Sequence, residues 1–215
     1  MTPRDGQDRK SRRKRRELVR ESEWVRVYRT KPNVLEVSSR LLEDNLQPSS
    51  EGFEKKWGVL SSRERLDLCA AYQAKPALSE EDARILNVVM EMGDELAWAN
   101  IVSVLTRHPD RNRVVAFIRD RLEKQSPPLA NFYQAIETIG DQGSIPLLLG
   151  KYEQYLRSGV SPKSRDWVVC IDYLTCCRTL WKLTSLQEYK IALEGYLKAD
   201  DKLVRDSAKR VFLQP

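Results

Sequence analysis

The sequence predicts an all-α chain, and three observations predict it. Past residue 30 the apolar residues recur at intervals of three and four, the period of a helix with one buried face. Capping residues precede most of these runs, and Pro and Gly fall between them rather than inside them. No stretch alternates apolar and polar residues for long enough to form a half-buried strand.

Taken in order, the pattern predicts helices near 34–45, 50–59, 62–75, 80–92, 94–107, 110–124, 128–139, 144–158, 164–183, 185–198 and 201–213. Pro32 and Pro48 bracket the first. Ser61 with Glu64, and Ser79 with Asp82, have the spacing of a capping box and open the third and fourth. Pro76, Pro109, the pair Pro127-Pro128 and Pro162 separate successive runs, while Pro146 sits where the first turn of a helix tolerates a missing N–H. Gly93, Gly140 and Gly159 follow apolar runs as residues just past a helix C-terminus do. The connections are short, so neighbouring helices are antiparallel. About eleven short helices without a sheet leave two architectures, an α-α superhelix or a compact helical bundle.

Two stretches favour the superhelix. Residues 137–149 (ETIGDQGSIPLLL) place a Gly-Asp turn before a helix carrying Ile-Pro-x-Leu-Leu, and residues 197–212 (LKADDKLVRDSAKRVF) carry Asp-x-x-Val-Arg-x-x-Ala. Through Asp141, Ile145, Pro146, Leu148, Asp201, Val204, Arg205 and Ala208 the chain resembles the HEAT repeat family, most clearly over 129–215. The resemblance implies an armadillo-like solenoid and assigns Asp141, Asp201 and Arg205 to hydrogen bonds that knit successive repeats. An N-cap role for Asp201 explains the same residues. Gly93-Asp94 looks like Gly140-Asp141, yet three helices separate the two turns, so either the repeat phase slips or one unit has three helices. The organisation expected is a basic tail over 1–30 and a single helical repeat domain over 31–215. Within it, 31–93 forms a divergent cap and 94–215 the HEAT-like pairs.

Charge divides along the same line. Residues 1–30 hold eleven Lys and Arg against five acids, and the rest of the chain holds twenty-six of each. The basic pI therefore describes a tail, which weakens the usual inference from high pI to a nucleic-acid-binding body. Arg9, Lys10, Arg12, Arg13, Lys14, Arg15 and Arg16 put seven cations in eight residues. Such a run suits RNA, DNA, an anionic membrane surface or a nuclear-import receptor, or is a solubilising extension. Charge-free stretches, such as Gln142–Gly150, are too short for a membrane span, and no apolar signal core follows the basic run. Cys69, Cys170, Cys176 and Cys177 lack disulfide-like spacing. A cytoplasmic location is expected, or a nuclear one if the cell is eukaryotic.

A second basic feature covers 107–124. Arg107, Arg111, Arg113, Arg119, Arg121 and Lys124 are expected on a solvated ridge, with Val114, Val115, Phe117, Ile118 and Leu122 facing inward. Lining a groove, the ridge would grip an acidic peptide or a phosphate backbone through bidentate guanidinium contacts. The bland alternative is an ordinary exposed helix face.

No catalytic constellation stands out. His108 is the sole histidine, in a His-Pro-Asp turn remote in sequence from the thiols that would complete a zinc site. The helix 164–183 has a wide apolar arc containing Trp167, Cys170, Ile171, Leu174, Cys177 and Trp181, so the vicinal Cys176-Cys177 pair is expected to be buried and inert. No nucleophile or metalloprotease motif is present. The expectation is a non-enzymatic scaffold, without cofactor or metal, that binds a protein or peptide partner in its groove or along one edge. A nucleic-acid-binding protein is the second reading, because some HEAT-like proteins are glycosylases acting on alkylated DNA bases. A third is a helper of the phycobilin-lyase kind, which chaperones a cofactor onto a client. The oligomeric state and the identity of the partner are not encoded in any motif.

Overall fold

Ser61 and Ser79 each close a complete capping box with Glu64 and Asp82, so two orphan N–H groups are satisfied reciprocally at the start of two helices. Such local signals set most element boundaries in the computed structural model, which describes residues 52–125, 129–164 and 166–213. The elements are α1 (Phe53–Val59), α2 (Ser62–Ala74), α3 (Glu80–Met92), α4 (Glu95–Leu105) and α5 (Arg111–Lys124). They continue with α6 (Ala130–Ile139), α7 (Ile145–Arg157), α8 (Trp167–Thr184), α9 (Gln187–Tyr196) and α10 (Lys202–Leu213). A single 3-10 turn over Gln142–Ser144 leads into α7, and no strand occurs among the described residues. The helix expected over 34–45 and the basic run over 9–16 lie outside the described residues.

Among the described residues, ten helices pack together. α2 lies on α4, α4 on α6, α6 on α8 and α8 on α10, while α1 lies on α3 and α5 on α7. Contacts also join α3 to α4, α5 to α6, α7 to α8, α8 to α9 and α9 to α10. Helices two apart in sequence run parallel where side-chain bonds fix the direction. Arg65 meets Asp94, the Cys69 thiol reaches the Ala97 carbonyl at 3.8 Å and Gln73 donates to the Asn100 carbonyl. The core threads between the two rows, from Phe53 and Trp57 through Ile101, Ile118 and Ile136 to Leu174, Leu193 and Val211.

The two Gly-Asp turns differ in kind. Gly140 takes a left-handed φ of 72° and closes α6, with both its own N–H and that of Asp141 returning to the Ile136 carbonyl. Gly93 has an ordinary extended backbone at φ −67°. Glycine is needed there for close approach, because a Cβ would overlap the Val89 carbonyl and the Trp98 indole. Gly93-Asp94 joins the two members of a packed pair, α3 and α4, whereas Gly140-Asp141 joins one pair to the next. The packing order keeps its parity across the interval where the letters suggest a slip.

α8 is the exception to amphipathic design. Its residues 172–180 are all buried, and α6, α7, α9 and α10 surround it. Asp166 starts it by accepting from the Val168 and Val169 N–H groups, and Ser185, at φ 61°, ends it in the left-handed region without a glycine. Trp167, expected inside, is 45% exposed.

Candidate interaction surface

α5 buries Val114, Ile118 and Leu122, a stripe at every fourth position, and that register lifts its arginines to the edges of the helix. The six cations expected to form a solvated ridge all have intramolecular partners. Arg107 donates to the Tyr72 carbonyl in the last turn of α2 and to that of Lys75 just past it, and Arg111 to the Ile139 carbonyl that ends α6, at 2.9 Å. Both thereby satisfy carbonyls that a helix C-terminus leaves without an intrahelical donor. Arg113 pairs with Glu91 of α3, and Lys124 with Asp120 one turn back. Arg119 donates from Nε to Asp141 at 3.1 Å and to Ser144 at 2.9 Å, and from Nη2 to Asp141 at 2.6 Å. Arg121 stacks its guanidinium 4.0 Å from the Trp98 ring centroid, beside Phe117. Arg119 and Arg121 are half-buried, which departs from a freely solvated ridge: indole and carboxylate groups of adjoining helices lie within reach of their long stems.

Asp141 therefore ties α5 to the turn before α7 and makes no N-cap bond of its own. Burial works against its carboxylate, but hydrogen bonds from Ser144 and Arg119 outweigh it and hold the group below the ordinary aspartate range. Asp201 accepts from the Leu203 and Val204 N–H groups, the geometry of an N-cap for α10. Arg205 reaches back to the Ala199 carbonyl at 2.5 Å, behind the end of α9.

The seam between α6 and α8 contains polar groups that the sequence reading passed over. Asp172 is fully buried, and one carboxylate oxygen accepts from the Leu129 and Ala130 N–H groups, each at 2.8 Å, at the start of α6. Its second oxygen has no donor. Desolvation dominates over those two bonds and raises the carboxyl to about 7. Thr179 donates to the Tyr133 carbonyl at 3.1 Å. Arg178, 5% exposed, grips Glu137 with Nε at 3.1 Å and Nη2 at 2.8 Å, and donates to the Val211 carbonyl of α10 at 2.8 Å. In sequence these residues sit in the apolar arc of α8, and the available signal was four polar side chains, Asp172, Thr175, Arg178 and Thr179, in a stretch otherwise fit for a core.

His108 is buried: its Nδ1 accepts from the Asp110 N–H and its Nε2 faces the Ala83 carbonyl at 3.2 Å, a turn-locking role. The four thiols are free and buried, and burial pushes Cys69 and Cys177 up to about 12 and Cys170 to about 11. Such thiols are poor nucleophiles. Among the described residues no group of three or more His, Cys, Asp or Glu has the arrangement to hold a metal, and no helix is long and apolar enough to cross a membrane. Comparison with family models, with curated proteins and with solved structures finds no match to this chain.

Proposed function

We propose that this chain is a non-catalytic interaction scaffold, a short α-solenoid of HEAT-like pairs that offers its groove or one edge to a protein or peptide partner. The observation that carries this reading is the packing order: helices two apart in sequence lie against one another in an unbroken row from α2 through α4, α6 and α8 to α10, an arrangement that supports an extended surface. An extended ligand fits a continuous surface better than a small molecule does. The engagement of all six cations of 107–124 in contacts within the chain favours a protein partner over a nucleic acid, since a phosphate backbone would compete with existing bonds.

The test is capture of the partner from the native cell, followed by cross-linking and hydrogen exchange. Protection distributed along several helices of one row is expected. Contacts confined to residues 1–30 would overturn the groove, and binding to duplex or single-stranded nucleic acid that weakens steeply with salt and vanishes on deletion of 1–30 would replace this reading with the tail-based one.

A further inference from the structure

Apolar side chains exposed singly are ordinary, but their recurrence in one place is not. Of the eight large apolar side chains exposed among the described residues, five lie at one edge, where the even-numbered helices begin and the odd-numbered ones end. Val59 ends α1 and Met92 ends α3, and the Trp57 indole N–H joins these two ends by donating to the Met92 carbonyl at 3.2 Å. Leu156 lies in the last turn of α7, Trp167 opens α8 and Leu203 lies in the first turn of α10. Cross-helix contacts keep these ends level. Arg65 near the start of α2 pairs with Asp94 before α4, Asp172 in the second turn of α8 holds the start of α6, and the Tyr196 ring at the end of α9 lies 5.4 Å from that of Tyr173.

Charge changes sign along the same edge. Residues 52–110 hold seven Lys and Arg against ten acids, and residues 111–213 hold seventeen against twelve. At the α3–α4 turn Glu91 and Asp94 pair with Arg113 and Arg65, while Glu95 is exposed and has no ion pair among the described residues. Toward the other end Arg157, Lys163, Lys198 and Lys202 are exposed without a carboxylate partner among the described residues. Asp166 and Asp201 are occupied in capping α8 and α10, so Glu153 and Asp200 are the exposed acids beside those four cations.

An edge that is apolar toward both ends and opposite in charge is complementary to itself when turned through a two-fold rotation. That rotation lays the first helix pair of one copy on the fifth of the other, and the second on the fourth. Val59 then falls opposite Leu203, Met92 opposite Leu156 and Trp167, and Glu95 opposite the cations around Lys163. Five pairs at a spacing of about 10 Å, each about 20 Å across, present about 800 Å², the area a standard interface takes from each partner. We propose that two copies of this chain associate edge to edge as an antiparallel, two-fold dimer through this surface. The inference goes beyond the scaffold reading and does not rest on it, because it needs no other protein and leaves the rest of the surface open to one.

The experiment is sedimentation equilibrium of the full chain. A monomer–dimer equilibrium with Kd on the order of 10 μM is expected, weakening about three-fold or more when salt is raised to about 1 M. Trp167→Glu, Glu95→Lys and Lys163→Glu, all at exposed positions, should each keep the helical circular dichroism and be monomeric at the concentration where the parent is dimeric. Mixing Glu95→Lys with Lys163→Glu should restore a dimer, since every like-charged contact of either variant with itself becomes an opposite-charged one in the mixed pair. A parent chain still monomeric at about 1 mM would overturn the dimer and leave the edge to a different protein. A dimer that persists in folded Trp167→Glu would place the contact elsewhere. Failure of the mixed variants to reassemble would also overturn it, as would follow if the basic tail rather than a second edge met the acidic end.

Discussion

Arg119 on α5 holds a carboxylate from the turn before α7 and Arg178 on α8 one from α6, yet the first side chain is 37% exposed and the second 5%. The same guanidinium thus performs two different jobs. Around α5 the ties are made at the rim, where water competes for every partner and a lost contact is replaced by solvent. Around α8 the polar groups sit inside the seam with α6, and removing one partner strands the other without water. The chain is held laterally by an outer set of replaceable arginine contacts and centrally by a few that are not.

The sharpest way to break this contrast is Arg178→Met. It leaves Glu137, whose second oxygen already lacks a donor, without its cation, and should cost about 3–5 kcal/mol in urea denaturation. Arg178→Met combined with Glu137→Leu should recover most of that loss, because two well-packed apolar groups replace a desolvated pair. A single-variant loss of 1 kcal/mol or less would erase the distinction between the two regions.

Asp172 gives the next largest effect, read as a pH dependence. Its folded carboxyl titrates at about 7 against 3.8 for the free group, so the folded state binds the proton more tightly. Stability from this group is full below the unfolded value and declines as pH rises toward 7. From pH 5 to pH 8 the decline amounts to roughly 2–3 kcal/mol. Beside burial and the Leu129 and Ala130 N–H groups, the charge acting on it is Asp166 ahead of α8, while its own charge raises the Tyr133 and Tyr155 hydroxyls and the Cys176 thiol in the same core. Asp172→Asn keeps an oxygen for the Leu129 and Ala130 N–H groups and should flatten that slope in melts taken across pH. Asp141 supplies the opposite sign: with its proton affinity lowered, its contribution is present above the unfolded value and disappears as the solution becomes more acid than about pH 4.

Gly93→Ala comes third. The new methyl must displace either the α3 backbone or Trp98, whose indole donates to the Val89 carbonyl at 2.9 Å and stacks under Arg121. A loss of about 2 kcal/mol is expected, with a shift in tryptophan emission. Arg119→Ala should cost about 1 kcal/mol, since Asp141 keeps its bond with Ser144 and gains water. Arg113→Ala, at an exposed pair with Glu91, should leave the midpoint of unfolding unchanged.

Much of the fold was legible because its signals are local. The boundaries expected at 62, 80 and 110 lie within one residue of those observed, as Ser61, Ser79 and Asp110 each cap a helix through side-chain bonds three residues on. The inward stripe of α5 was readable from the four-residue spacing of Val114, Ile118 and Leu122. The destination of a long side chain was not. Arg111 and Arg113 lie two positions apart, yet one caps α6 and the other pairs with α3, because opposite sides of α5 face different neighbours. Likewise Asp94 caps α4 while Asp141, in a turn of the same letters, binds an arginine from another helix.

The sequence by itself determined that this protein is helical, where most helices begin and end, and that its net positive charge belongs to the first thirty residues. These follow from periodicity, capping and composition, which act within a few residues along the chain. Only the tertiary structure decided that residues 172–180 of α8 are enclosed, that Asp172 and Arg178 are buried, and that the arginines of 107–124 bind groups on other elements. Those outcomes depend on which elements become neighbours, and a carboxylate or guanidinium takes its energy from what surrounds it in space rather than from what precedes it in sequence.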